Sequence, residues 1–424
     1  MSNSRVLLLL TSLILLSCYS SRNPRDRERT YNKPYHRPDN ELKLNMFLLH
    51  GTGNESFLYY RIDNSQLIYK KEDTNSYFSA KLKFSYKFRP YPEAREILDS
   101  GTVVVEDKSP GQAPARMLVG YLPFTIPDGQ YSYLEVYTED LFSKKNHTRY
   151  ITCDKQNMFS QQNFLIEDGG EILFTNKIQV GSTVKMVNNR INYSEARVDY
   201  FAVDYSLPPP PFSDREPQLY PSIPDSSFME PTADNHAILL PVKKQGIYFV
   251  RADLASPSGC MVLGVEPNFP KVQSHAQMIA ASRFIMNKDE YQRLLDAADK
   301  QAAIEQFWIG VAGSADRAKE LIKRYYNRVQ DANTFFTSHL EGWKTDMGMV
   351  YIIFGTPAKT YKTAGMETWE YYIQNGAPPL TFRFEKIKNP FSENCYKLQR
   401  SPSYKDPWTI AVSNWREGRV YLED

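Results

Sequence analysis

Tyr77-Phe78-Ser79-Ala80-Lys81-Leu82-Lys83-Phe84-Ser85-Tyr86-Lys87-Phe88 alternates along its length. Phe78, Ala80, Leu82, Phe84, Tyr86 and Phe88 fall on one side, with Ser79, Lys81, Lys83, Ser85 and Lys87 on the other. A period of two sends successive side chains to opposite faces, so the stretch predicts a long strand with one face in a core and a lysine-rich face in water. The flanking sequence reads the same way. Phe57–Ile62 and Gln66–Tyr69 bracket Asp63-Asn64-Ser65, a hairpin signal, and Thr102–Val105 and Met117–Leu122 are further strands.

Pro127-Asp128-Gly129-Gln130-Tyr131 is a turn that feeds Ser132, Leu134 and Val136, which alternate with Tyr133, Glu135 and Tyr137. A turn leading into a long late strand that opens on a tyrosine predicts an immunoglobulin-like β-sandwich over residues 45–157. A second one is expected over 160–270, with strands at Glu171–Phe174, Thr183–Val187, Arg197–Tyr205, Ala237–Val242 and Ile247–Leu254. Gly246-Ile247-Tyr248 echoes Gly129-Gln130-Tyr131 one sandwich length earlier. The second sandwich carries a proline-rich insertion, 207–231, containing Pro208–Pro211, Pro217, Pro221, Pro224 and Pro231. Proline fixes φ and has no N–H for a ladder, so the insertion is expected as an extended loop. Two readings stay open: a stiff connector lying on its own domain, which is preferred, or a strap for a partner with Phe212 and Tyr220 among its anchors.

The pattern changes after Pro270. Ser274–Ile285 reads as helix, Asn287 and Glu290 form a capping-box start, and Gln301–Val311 continues the helical pattern. Ala318, Leu321, Ile322, Tyr325, Val329, Ala332, Phe335 and Phe336 form one buried stripe. Then comes Gly342-Trp343-Lys344-Thr345-Asp346-Met347-Gly348, followed by the apolar run Met349–Phe354 and Gly355-Thr356-Pro357. This string, with Tyr325–Val329, Ala332-Asn333 and Phe335-Phe336 before it and Trp369-Glu370-Tyr371 and Thr381–Phe384 after it, resembles the GWxTD domain of envelope proteins of Bacteroidota. The resemblance runs roughly from Gln273 to Lys386, with Met347 standing where the family usually has a basic residue.

Physics predicts a structural corner here. Gly342 ends the helix in the left-handed conformation, Trp343 buries its ring, Thr345 and Asp346 bond backbone amides, and Gly348 supplies positive φ. Met349–Phe354 is expected as a buried strand, with Trp369–Ile373 and Thr381–Lys386 pairing as a meander. Trp408–Val412 reads as one more strand, and Trp408 and Trp415 as candidate partner contacts in an aromatic tail. The expected architecture is thus multidomain and mainly β: two tandem immunoglobulin-like β-sandwiches followed by an α+β domain, helices plus a small antiparallel sheet, over 271–424.

The amino terminus predicts an address. Arg5 precedes a short apolar run, Val6–Leu16, too short to span a bilayer, and the whole reads as an export signal over 1–17. Leu15-Leu16-Ser17-Cys18 resembles the lipobox of bacterial lipoprotein signals, which implies palmitate-type acylation of Cys18. Residues 18–44 are polar and basic and read as a lipid-anchored flexible tether. The segment after Cys18 begins Tyr19-Ser20-Ser21-Arg22, without the acidic residues typical of surface-exported relatives, so the resemblance implies an outer-membrane protein facing the periplasm.

Composition narrows the chemistry. Among 424 residues the formal charge is only +2, which does not suggest a nucleic-acid partner. Cys153, Cys260 and Cys395 are far apart and odd in number, which implies neither a disulfide framework nor a zinc site. Six scattered histidines lack metal-ligand spacing. No catalytic, metal or cofactor set stands out. The expectation is a non-enzymatic interaction subunit of an envelope machine for outer-membrane assembly, secretion or gliding. The alternative is a carbohydrate-binding or hydrolytic accessory protein, using rings such as Tyr133, Tyr137 and Trp408, or a site around His339, Asp346 and Cys260.

Overall fold

The computed structural model describes residues 29–32, 35, 41–71, 77–92, 94–111, 113–202, 207–233, 237–363, 365–372 and 378–420. The export signal 1–17 and Cys18 lie outside the described residues. Strand β1 (Arg29–Asn32) pairs antiparallel with Lys359–Lys362, in the last sheet of the chain. Residues 18–44 are therefore not a free tether throughout: backbone at 29–32 is in a ladder, Tyr35 is packed against the C-terminal unit, and Leu42 is buried. The partners of Tyr35 stand more than 300 residues away, so no local pattern announces them.

The first sandwich follows. Its strands are β2 (Leu44–His50), β3 (Glu55–Asp63), β4 (Lys70–Lys71), β5 (Phe78–Arg89), β6 (Asp99–Ser109), β7 (Met117–Thr125), β8 (Tyr131–Asp140) and β9 (Asn146–Asp154). The sheet β2-β3-β7 faces β4-β5-β8-β9, and β6 flanks β5. Ala80, Leu82, Phe84 and Phe88 of β5 meet Leu58, Tyr60 and Ile62 of β3 and Leu122 and Phe124 of β7 in one core. The alternation of β5 thus becomes the inner face of a sheet. Asp63-Asn64-Ser65 is not a hairpin turn. Asp63 caps a 3₁₀ turn, and the buried Asn64 accepts from Arg116 N–H at 2.8 Å and donates to Pro114 C=O at 2.9 Å. Those bonds send the chain across to the opposite sheet.

The second sandwich contains β10 (Phe164–Asp168), β11 (Glu171–Ile172), β12 (Lys177–Gln179), β13 (Thr183–Asn188), β14 (Glu195–Phe201), β15 (Ser226–Pro231), β16 (Ala237–Pro241), β17 (Gly246–Arg251) and β18 (Cys260–Val265). One sheet runs β11-β10-β13-β16, the other β12-β18-β17-β14-β15, with β12 parallel to β18. Tyr248 is buried, and its hydroxyl accepts from Lys244 N–H at 2.9 Å, a bond back to upstream backbone of the tyrosine-corner kind. Tyr131, its counterpart in the sequence echo, is exposed, so the echo does not extend to the side chain. The proline-rich insertion is extended only in its first part. Its end is β15, which pairs with β14.

The C-terminal unit has helices α1 (His275–Ala281), α2 (Lys288–Asp296), α3 (Lys300–Ala312), α4 (Ala315–Phe336), α5 (Asp346–Phe354) and α6 (Lys405–Arg416). They pack on a sheet β1-β19-β20-β21-β22, where β19 is Lys359–Lys362, β20 Met366–Tyr371, β21 Leu380–Lys386 and β22 Tyr396–Leu398. The Asn287–Glu290 capping box forms, and β20 and β21 pair as the meander predicts. Two expected strands are helices. All nine residues of α5 are buried, so its sequence carries no amphipathic period to distinguish helix from strand. In α6 the buried residues Trp408, Ala411 and Trp415 follow helical spacing, while Ile410 is exposed. The chain is multidomain and mainly β. Phe391 joins its last two units, with its ring 5.3 Å from Phe201 and 5.1 Å from Phe249. Cys153, Cys260 and Cys395 are buried free thiols.

Candidate functional site

The Gly342–Gly348 string is the corner between α4 and α5. A 3₁₀ turn, Gly342–Lys344, crosses directly over α4. A Cβ on Gly342 would lie 1.8 Å from the Ala332 carbonyl oxygen, and one on Gly348 would lie 1.9 Å from the Gly342 carbonyl oxygen. Neither glycine has positive φ. The expectation of left-handed backbone is therefore corrected: both are glycines because backbone presses on backbone, not because of their dihedrals.

Polar atoms lock the crossing. Gly342 N–H donates to Thr337 Oγ1 at 3.0 Å, and Trp343 N–H donates to Asn333 Oδ1 at 3.2 Å. The Trp343 ring is buried, and its Nε1 donates to Glu341 Oε2 at 2.8 Å. Lys344 reaches the same carboxylate at 3.0 Å and lies over the indole. Thr345 donates to Gly342 C=O at 2.7 Å and caps α5 by accepting from Gly348 N–H at 3.0 Å.

Asp346 does not bond a neighbouring turn amide. Its Oδ2 accepts from Leu398 N–H at 2.9 Å, and Arg400 grips both oxygens, with Nη2 2.5 Å from Oδ1 and Nη1 3.2 Å from Oδ2. The two side chains are 2% and 4% exposed, a desolvated forked pair. Burial pushes the Asp346 carboxyl above its ordinary range, and Arg400 draws it part of the way back. Arg400 Nη2 also donates to Pro209 C=O at 3.1 Å, and Ser401 N–H donates to Pro211 C=O at 3.1 Å. The corner thus ties together α4, α5, β22 and the start of the proline-rich segment, which lies against the C-terminal unit and not, as expected, on its own domain. Met347 is buried in the core, where a basic side chain would require a counter-charge.

The candidate contact residues fare unequally. Trp415 is fully buried, donates from Nε1 to Ile353 C=O at 3.1 Å, and has the Arg328 guanidinium over its ring. Trp408 is buried beside Phe354, and Phe212 is half-buried against the same core. Only Tyr220 of the four is exposed. Trp408 is also unavailable to a carbohydrate platform with Tyr133, whose ring stacks on Tyr150. His339 is buried, with Nδ1 3.4 Å from Ser338 Oγ, and burial lowers it to about 4. Cys260 is fully buried, which pushes its thiol far up. No grouping of His339, Asp346 and Cys260 forms: Asp346 faces Arg400 and Leu398. Among the described residues, no group of three or more His, Cys, Asp or Glu side chains assembles as a metal site, and no helix is long and apolar enough to cross a membrane.

Sequence reasoning missed Arg400, Glu341 and the pairing role of Asn333. Asn333 lies in the helix segment that carried the family resemblance. Arg400 lies in a stretch with no distinguishing pattern, and nothing local marks it.

Comparison with known proteins agrees with the corner. Residues 246–417 match the model of the GWxTD domain, extending from β17 of the second sandwich through α6, beyond the span read from motifs. Curated proteins give no significant match. Among solved structures, a red sea bream transglutaminase aligns with 8% identity over 49% of this chain, at a TM-score of 0.17. The alignment spans 28% of that transglutaminase chain, and a likeness of this size carries no argument. The corner, its hydrogen-bonded turn and the matched span together place a GWxTD domain at residues 246–417.

Proposed function

We propose that this chain is a non-enzymatic lipoprotein of the outer membrane, anchored through acyl chains on Cys18, facing the periplasm, and acting by protein–protein contact in an envelope machine. Assembly of outer-membrane components, secretion and gliding are the fitting classes. The observation that carries the reading is where the corner's chemistry goes. Thr345 and Asp346 direct their side chains to partners within the chain, while exposed apolar residues gather on the first sandwich. Met117, Val119 and Tyr121 of β7 are each about half exposed, and β7 is an edge strand. Solvent-facing apolar groups of this kind suit a contact surface. Labelled palmitate should enter the wild-type chain and not Cys18→Ala, and gentle solubilisation of membranes should recover the chain with fixed envelope partners. A solitary, unacylated chain would refute the proposal.

One observation favours a carbohydrate-binding role instead. Tyr121 lies 5.5 Å from Phe57 and 5.6 Å from Tyr59, which makes a ring-rich outward face on β3 and β7. Glycan-array binding that is lost in Tyr121→Ala would support this second reading.

A further inference from the structure

We propose that Arg29–Asn32 and Tyr35 form a clamp through which the membrane anchor holds the GWxTD unit directly. The proposal rests on acylation at Cys18. The first sandwich starts at Leu44, and a free chain from Cys18 to that point would reach about 90 Å when extended. β1 cuts this reach. Only eleven residues lead from Cys18 to Arg29, about 40 Å at full extension. Arg29, Thr30, Tyr31 and Asn32 are then cross-strand partners of Lys362, Tyr361, Thr360 and Lys359. A pull on the anchor therefore meets the C-terminal sheet before it meets the sandwich.

The clamp has a built seat. The Tyr35 ring lies 4.8 Å from Phe336, 5.3 Å from Trp369 and 5.5 Å from Phe335, all in the C-terminal unit. Its hydroxyl donates to Glu367, a carboxylate only 2% exposed that also accepts from Trp369 Nε1 at 2.7 Å and pairs with Lys362 Nζ at 3.1 Å. Lys362 Nζ donates to the Tyr35 hydroxyl at 3.0 Å, and Tyr351 OH donates to Tyr35 C=O at 3.4 Å. Burial and the Glu367 charge raise the Tyr35 hydroxyl well above its ordinary value, so it remains a donor. β1 also covers an edge of β19 that would otherwise be open to another strand. A ladder, a ring-lined socket and a buried acceptor together make a docking that local chain preference does not supply.

The test uses the full chain in membranes. Thr30→Cys with Tyr361→Cys places thiols on cross-strand partners, and mild oxidation should join them within one chain, both with Cys18 present and with Cys18→Ala. Tyr35→Ala should slow that cross-link about tenfold, the ratio for about 1.4 kcal/mol. With a donor dye on the GWxTD unit and acceptor dye on lipid headgroups, energy transfer should fall when Thr30→Pro breaks the ladder. A cross-link that never forms in a folded chain, or forms only between two chains, would overturn the clamp. An unchanged transfer in Thr30→Pro would overturn it as well. Palmitate labelling without the cross-link removes the clamp and leaves the anchor. A cross-link without labelling removes the anchor, and with it the membrane role of the clamp.

Discussion

Gly342→Ala separates two reasons for a glycine. The added Cβ would lie 1.8 Å from Ala332 O and 2.5 Å from Ala332 C, both backbone atoms of a long helix. Carbon–oxygen contacts close to about 3.3 Å, so the turn and α4 must part by about 1.5 Å. That shift breaks the bonds from Gly342 N–H to Thr337 and from Trp343 N–H to Asn333 and loosens the Trp343 ring. Overpacking costs about 1–3 kcal/mol and each lost bond about 1 kcal/mol, which places the loss at about 3–5 kcal/mol. Gly313→Ala is the control. There φ is +77° with nothing within 4 Å of the new atom, so only the left-handed backbone is penalised, at about 1–2 kcal/mol. Urea unfolding followed by tryptophan fluorescence is the assay, because Trp308, Trp343, Trp369, Trp408 and Trp415 all lie in the C-terminal unit. If Gly342→Ala unfolds at the same urea concentration as Gly313→Ala, the close-packing argument is wrong.

Asp346→Asn should destabilise the same unit by about 3 kcal/mol or more, since it strands the buried Arg400 guanidinium; adding Arg400→Met should recover much of the loss in the same urea assay. Burial holds His50 and His339 down at about 4, below the ordinary 6.5, so both stay neutral in the folded chain while the unfolded chain takes up protons first. Stability should therefore be full above about pH 6.5 and fall as pH drops toward 4, by at most about 3 kcal/mol per histidine; melting temperatures across that window check the slope, and His50→Gln should flatten it. Burial raises the Cys153 thiol to about 12 and the Cys395 thiol to about 11, and Cys260 is fully buried. A thiol reagent at pH 8 should leave all three unlabelled in the native chain and label them in denaturant, and rapid native labelling would contradict their placement.

The β5 alternation, the α4 stripe and the Asn287–Glu290 cap were all readable because each is a local pattern with its own period or spacing. The corner could be located in the same way, and Trp343 and Thr345 do what their chemistry suggests. The two failures have different causes. Trp408 and Trp415 resemble exposed docking rings only until helical spacing is tried, and α5 is buried on every side, so no period survives to identify it.

By itself the sequence determined which segments form sandwiches, where helices α1 to α4 begin and where the chain turns sharply, since these depend on interactions among residues a few positions apart. The tertiary structure alone decided that Gly342 and Gly348 must be small, that Asp346 pairs with Arg400 54 residues later, and that Tyr35 reaches Glu367 332 residues away. Those outcomes depend on which surfaces meet once the units close. A contact between distant segments leaves no spacing in either one from which it can be read.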